Sequence, residues 1–370
     1  MTTQQTVINP LLISFMKKTL FLAIAVSAVI TGCVKNETTN GNIVSDSKIS
    51  FEAPAIAGIT RGANVAGEIS SPYPTAEHFS VYARYFAGNY TTFAEGTSYM
   101  ENIKTAYDNA GNYWDSEEAG GQAYYWPKNG TLTFAAYSPS GAVDDCTVAW
   151  GANGFTFTDF SVKADPAKHY DLMFSERSYN RNASTGGTTY NGVDITFKHA
   201  LSSVVYKVKT SAEYEGHTIT VTSIKLVNTF QTGTFNQNLA DANDAMTTDA
   251  AAWSGQSNEN ADGYEAVTQN QALTSTATAL TNQNPIIVLP QLLAHAGENN
   301  VKIEVAYTIN NGTATVEQSS TVDISDGYNI TEFEMGKRYT FNLSFGLDKI
   351  TFSPEVDDWV DENVTPDINL

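Results

Sequence analysis

Cys33 is the residue whose neighbours most plainly prescribe a chemistry. It closes the run Ile30-Thr31-Gly32-Cys33, which matches a bacterial lipobox. In proteins with that motif the thiol is diacylated, the peptide is cut just ahead of it, and the freed amine is acylated. Several acyl chains together anchor a protein stably where one chain would be marginal. The residues upstream agree in order and spacing. Met16-Lys17-Lys18 is a basic start, and Thr19 to Ile30 is an apolar run. That run is shorter than the roughly 20 residues a bilayer span needs, so it reads as a secretion signal. Residues 1–15 precede the expected start at Met16 and are set aside as an upstream extension, so 1–32 is extension plus signal.

Other groups that could do chemistry are scattered. The other cysteine, Cys146, reads as a small buried hydrophobe. The histidines His78, His169, His199, His217 and His295 form no His-Glu-x-x-His pair, and His199, beside the run Val193–Phe197, reads as structural. Asp144-Asp145 and Asp357-Asp358 are adjacent pairs. Neighbours on a strand point to opposite faces, so neither pair sets two carboxylates across a cleft. No phosphate-cradling loop and no Gly-x-Ser-x-Gly elbow is present. Neither a catalytic site nor a cofactor or metal site is expected, and an enzyme ranks last among the readings. The aromatic cluster Tyr113-Trp114 and Tyr124-Tyr125-Trp126 offers either core anchors or a stacking surface for sugars, and the core reading is favoured.

The elements that must hold these residues are strands. Ile49-Ser-Phe51, Phe79–Phe86, Leu132–Tyr137, Phe155–Phe157, Val193–Phe197, Val204–Val208, Ile219–Val221, Ile224–Leu226, Ile286–Leu289, Val301–Tyr307, Tyr339–Phe345 and Ile350–Phe352 are β-prone runs, most alternating with period two. Asn129-Gly130, Asn191-Gly192, Asn311-Gly312 and Asp326-Gly327 supply the positive φ of tight turns. Only Ala240–Ala252 suggests a short helix. An all-β protein follows, with two β-sandwich domains. The polar stretch Ser175–Asn191 is the expected linker, with the parting near Gly187, and Asp241–Thr281 reads as an elaborated loop. This gives a tether over 33–47, a first sandwich over 48–187 and a second over 188–370.

Charge narrows the partners. The formal net charge is −20, which excludes nucleic acid as a partner because phosphate binding needs a positive footprint.

Several separated pieces together resemble one family. They are the lipobox, Ile49-Ser-Phe51 followed by Ile59-Thr60-Arg61, Tyr125-Trp126-Pro127 before Leu132–Pro139, Asp171-Leu172-Met173, Ile195–Ser202, Pro290-Gln291, Gly336–Leu343 and Ile350–Trp359. Their order resembles the fimbrillins of gut and oral Gram-negative bacteria, also called FimA-like or Mfa-like, the subunits of type V pili. The resemblance implies transthyretin-like topology in both sandwiches. It also implies export as a lipoprotein through Cys33, and a cut at Arg61 by an Arg-specific protease. Removing the strand near 48–60 would leave an edge and an apolar groove that another subunit's strand can fill. The donor expected here is Ile350–Leu370. The expected role is a stalk or tip subunit at the outer membrane, with other pilin subunits and a host glycan or protein receptor as partners. The alternative is a monomeric lipoprotein adhesin or glycan-binding protein using Tyr125 and Trp126.

Overall fold

A computed structural model describes residues 48–56, 72–127, 129–141, 146–175, 178–181, 192–238, 251–266, 270–280, 285–296 and 299–359. Its strands, β1 to β24 in chain order, account for its regular structure apart from short 3-10 turns, so the chain is all-β as expected.

The first sheet runs β1 (Ala55–Ile56), β10 (Thr196–His199), β8 (Met173–Ser175), β5 (Thr131–Ser138), β2 (Phe79–Phe86), β3 (Thr97–Asp108), β4 (Tyr113–Asp115), with β9 (Ser178–Arg181) also on β5. Its middle strand reads Thr-Leu-Thr-Phe-Ala-Ala-Tyr-Ser, and all of it is buried. Both faces of this strand are covered. Leu132, Phe134 and Ala136 enter one apolar core with Phe79, Val81 and Ala83, whereas Ala135 and Tyr137 enter a second with Tyr82. Period-two alternation here sorts residues between two cores rather than between core and water.

The second core is walled by further sheets. One is β14 (Ala252–Asn260), β13 (Thr229–Asn236), β7 (Gly154–Ser161), β6 (Thr147–Gly151). Phe155 and Phe157 of β7 pack against Tyr137, Phe155 also meets Tyr82 with ring centres 5.5 Å apart, and Phe160 joins the same core against Tyr170 and Trp253. Another sheet runs β17 (Thr278–Ala279), β11 (Ser202–Thr210), β23 (Lys337–Phe345), β24 (Ile350–Asp358), with β18 (Ile286–Val288) also on β11. A third runs β15 (Tyr264–Glu265), β12 (Thr218–Val227), β20 (Lys302–Asn310), β21 (Thr315–Asp323), with β16 (Gln271–Ala272) also on β12. β19 (Gln291–Leu292) and β22 (Glu332–Phe333) make a small pair.

Two segments read as connections carry strands. Ser178–Arg181 pairs with β5, and Ala252–Asn260 pairs with β13. Helix 240–252 falls mostly outside the described residues, although its last residue, Ala252, opens β14. The expected parting near Gly187 also lies outside them. Across it, β10 joins the first sheet and β13 joins β7. The glycines of the turns behave as read: Gly130, Gly192, Gly312 and Gly327 all have positive φ.

Candidate functional site

The segment 48–56, which contains Ile49-Ser-Phe51, is a ribbon bonded on both of its edges. On one edge Ile49 N donates to Tyr124 O at 2.8 Å, and Phe51 and Trp114 exchange N–H···O bonds of 2.9 and 3.0 Å, antiparallel. On the other edge Val193 N donates to Ser50 O (2.8 Å), Glu52 N to Val193 O (3.2 Å) and Ala55 N to Ile195 O (2.9 Å). There the ribbon runs parallel to β10. β4 and β10 stand at the far side and near the start of the first sheet. The ribbon therefore joins the two ends of that sheet and closes it into a barrel around the first core.

Side chains make the closure apolar. Ile49, Phe51 and Ile56 are buried, Phe51 to 1% exposure. Burying each is worth about 1.5–3 kcal/mol. The Phe51 ring meets Phe79 edge-on at 5.8 Å and Phe134 at 5.9 Å, inside the range where aromatic pairs attract. Tyr73, Trp114, Trp126, Val193 and Ile195 complete the wall. Tyr73 is fixed by a 2.8 Å hydrogen bond to Ser138 Oγ, and burial pushes its phenol up.

Polar contacts pin the ribbon's start. Lys48 pairs with Asp115, which is buried, at 2.5 Å, and also with Glu117. Burial pulls the Lys48 ammonium down, but its bonds to both carboxylates win and hold it well above the ordinary lysine range. Its Nζ also lies 5.9 Å from the Tyr113 ring centre. On the opposite edge Gly192 lets the chains approach. A Cβ there would stand 2.9 Å from Glu52 N and 3.1 Å from Phe51 C, and φ is +110°.

The singled-out residues fall as follows. Cys33 and Arg61 lie outside the described residues, as do Asp144 and Asp145. Trp114, Tyr124 and Trp126 are core members, as favoured, and Tyr125 is 39% exposed. His199 is buried, bonded through Nδ1 to Asp171 at 2.9 Å and stacked on Trp359 at 4.3 Å. His169 accepts from Ile287 N through Nδ1, and its Nε2 donates to Lys163 O. Burial first, against that carbonyl bond, depresses it to about 4. Among the described residues no His, Cys, Asp and Glu side chains gather as a metal site. Asp357 and Asp358 are exposed on β24, with Asp358 paired to Lys337. Lys48, Asp115 and Gly192 are the site residues that sequence reading missed. The chain offers no local signal linking positions so far apart.

The last strand of the described body is built differently. Among the described residues β24 is an edge strand paired with β23 alone, and its outer half, Glu355–Asp358, is exposed. Trp359 then returns to the core, bonding Gly336 O at 2.7 Å, so Ile350–Trp359 of the expected donor is held in place. Residues 360–370 lie outside the described residues.

Comparison with known proteins gives a consistent result. A family model described as fimbrillin-like matches residues 74–359. Among solved structures, a fimbrial protein from Bacteroides vulgatus aligns with a TM-score of 0.53 at 17% identity, covering 84% of this chain and 99% of that one. A putative cell adhesion protein from Bacteroides uniformis aligns with a TM-score of 0.47 at 17% identity, covering 85% and 99%. The tip fimbrial protein Mfa3 from Porphyromonas gingivalis, with C-terminal truncation, aligns with a TM-score of 0.38 at 8% identity, covering 77% and 94%. No curated protein sequence matches the chain.

Proposed function

The chain belongs to the fimbrillin-like family, and from that premise we propose that this cell-surface fimbrial subunit assembles by exchange of the ribbon 48–56. The observation that carries the reading is the ribbon's double seam around Phe51. A strand at an ordinary edge can leave and expose one row of backbone groups. Loss of this one bares two rows and an aromatic cavity together. Each unmet buried backbone group costs about 1–3 kcal/mol, so the vacancy selects a replacement strand.

The remaining parts follow from the sequence. Cys33 is the lipid attachment that holds the chain at the outer membrane during export. Arg61 follows the ribbon and precedes β2, so a cut there severs the ribbon from the body. The incoming strand comes from residues 360–370 of another subunit, since Ile350–Asp358 is already engaged with β23. The organisation into 48–187 and 188–370 is kept within this proposal, with β10 contributed across the parting. Adhesion and a structural, non-enzymatic role accompany the family.

Digestion with an Arg-specific protease, followed by sizing, tests the reading. The full chain is expected to form ladders. Arg61→Ala and deletion of 360–370 are each expected to stop them while the thermal transition survives. Long polymers from the truncated chain would refute the donor assignment, and an unpolymerised, trimmed monomer from the full chain would refute the exchange.

A further inference from the structure

From the strand edges we infer that β21 is a self-pairing edge through which a second copy of this chain docks, forming a twofold dimer. This goes beyond ribbon exchange and does not depend on it.

Natural sheets protect their edges with short strands, proline, charge or bulges. The other edges here follow that rule. β6 is short. β14 is bulged, with Gly255 and Asn258 at positive φ. β24 carries Pro354 mid-strand and ends on Glu355, Asp357 and Asp358. β21 is plainer: among the described residues it ends its sheet with nine residues, Thr-Val-Glu-Gln-Ser-Ser-Thr-Val-Asp, in unbroken register with β20, without proline or bulge and with charge only at Glu317 and Asp323. Val316 on it is 51% exposed.

The direction of its backbone groups follows from the ladder. Just beyond the two ends, Ile324 N donates to Val301 O and Asn311 N to Ala314 O. Bonded pairs alternate along an antiparallel ladder. Even-numbered residues of β21 therefore turn their N–H and C=O to β20. Thr315, Glu317, Ser319, Thr321 and Asp323 turn theirs to the open side.

A valine stands three residues to either side of Ser319, at Val316 and Val322. Antiparallel pairing of two copies centred there sets Ser319 against Ser319, Glu317 against Thr321 and Thr315 against Asp323, all outward-bonding positions. It also sets Val316 against Val322. Both valines lie on the face of β20's buried Ile303, Val305 and Tyr307, so the contact prolongs an apolar surface. No acid meets an acid. Sliding the register two residues would place Glu317 against Asp323, a destabilising pair. The Asp323 carboxylate is already held by Asn300 at 2.8 Å and by Ser325. The net charge of −20 opposes association at low salt and is screened within about 8 Å at 0.15 M.

Sedimentation of the full chain should show a monomer–dimer equilibrium that tightens from low to physiological salt. Ser319→Pro removes only an outward N–H and is expected to weaken the dimer about tenfold or more. Thr321→Glu, which places a second acid opposite Glu317, tests the same contact without altering the backbone. In a chain with Cys33 and Cys146 changed to serine, Ser319→Cys should cross-link under mild oxidation. A bonded antiparallel pair holds its Cα atoms about 5.5 Å apart, within disulfide reach. Glu317→Cys, displaced from the axis, should not. A monomer at every salt concentration, equal cross-linking at 317 and 319, or undiminished association in both Ser319→Pro and Thr321→Glu would overturn the proposal.

Discussion

The first and last strands of the described body are opposites. The ribbon 48–56 is bonded along both edges and buries Ile49, Phe51 and Ile56. β24 is bonded along one edge, and its outer half lies in water. Both read as β-prone runs in the sequence. The difference teaches that a strand's hold on a fold depends on how many seams it closes and on what its side chains bury there, not on its β-propensity. One seam can open locally, as edges and termini commonly do. Two seams around an aromatic core open together or not at all.

The sharpest test of that contrast is a pair of truncations. Phe51→Ala is expected to destabilise the chain by about 3–5 kcal/mol, the range for emptying a buried aromatic site. Val356→Ala, on an exposed stretch of β24, should stay within about 0.5 kcal/mol. Denaturant unfolding of the two variants reads the gap directly, and equal losses would erase the distinction.

Acid separates the two cores next. His169 stands on the second core, with a pKa near 4 against an ordinary 6.5. The unfolded chain takes the proton first, so stability is full above about pH 6.5 and declines as pH falls toward 4. The loss approaches ~3 kcal/mol. His169→Gln should flatten that slope in a pH series of thermal melts. Lys48, held well above the ordinary lysine range, keeps its charge throughout this window.

Smaller effects probe the seams one at a time. Lys48→Met leaves Asp115 buried without its cation, and a loss of about 2 kcal/mol is expected after discounting for partial exposure. Gly192→Ala forces a Cβ against the ribbon backbone at positive φ, costing about 1–2 kcal/mol. Hydrogen exchange at Phe51 and Glu52 should rise in both. If exchange rose only in one, the two edges would be separable rather than a single closure.

Much of this fold was legible in the sequence, unevenly. Phe79–Phe86 forms β2, and Tyr339–Phe345 lies within β23, because strongly apolar alternation marks a strand with a core to face. The polar edge β21 and the strand β14 inside an expected loop were not seen. Most of their side chains are polar and exposed, with few apolar residues such as Trp253 and Val322 turned to the core, and the period-two signal fades. At the candidate site, Ile49 and Phe51 were recognised, but not their partners. Trp114 and Val193 come from widely separated chain positions, and pairing of that kind leaves no local periodicity. The aromatic cluster resolved as core because Trp114 and Trp126 complete the barrel wall.

The strand β5 has a consequence of its own. Its alternate residues serve different interiors, so emptying the barrel strips water-shielding from Leu132, Phe134 and Ala136 alone. Ala135 and Tyr137 stay gripped by β7, and Tyr137 still donates to Asn102 at 2.6 Å. Under the proposed exchange, a chain that had lost its ribbon would be half-finished rather than denatured, folded on one side and open on the other.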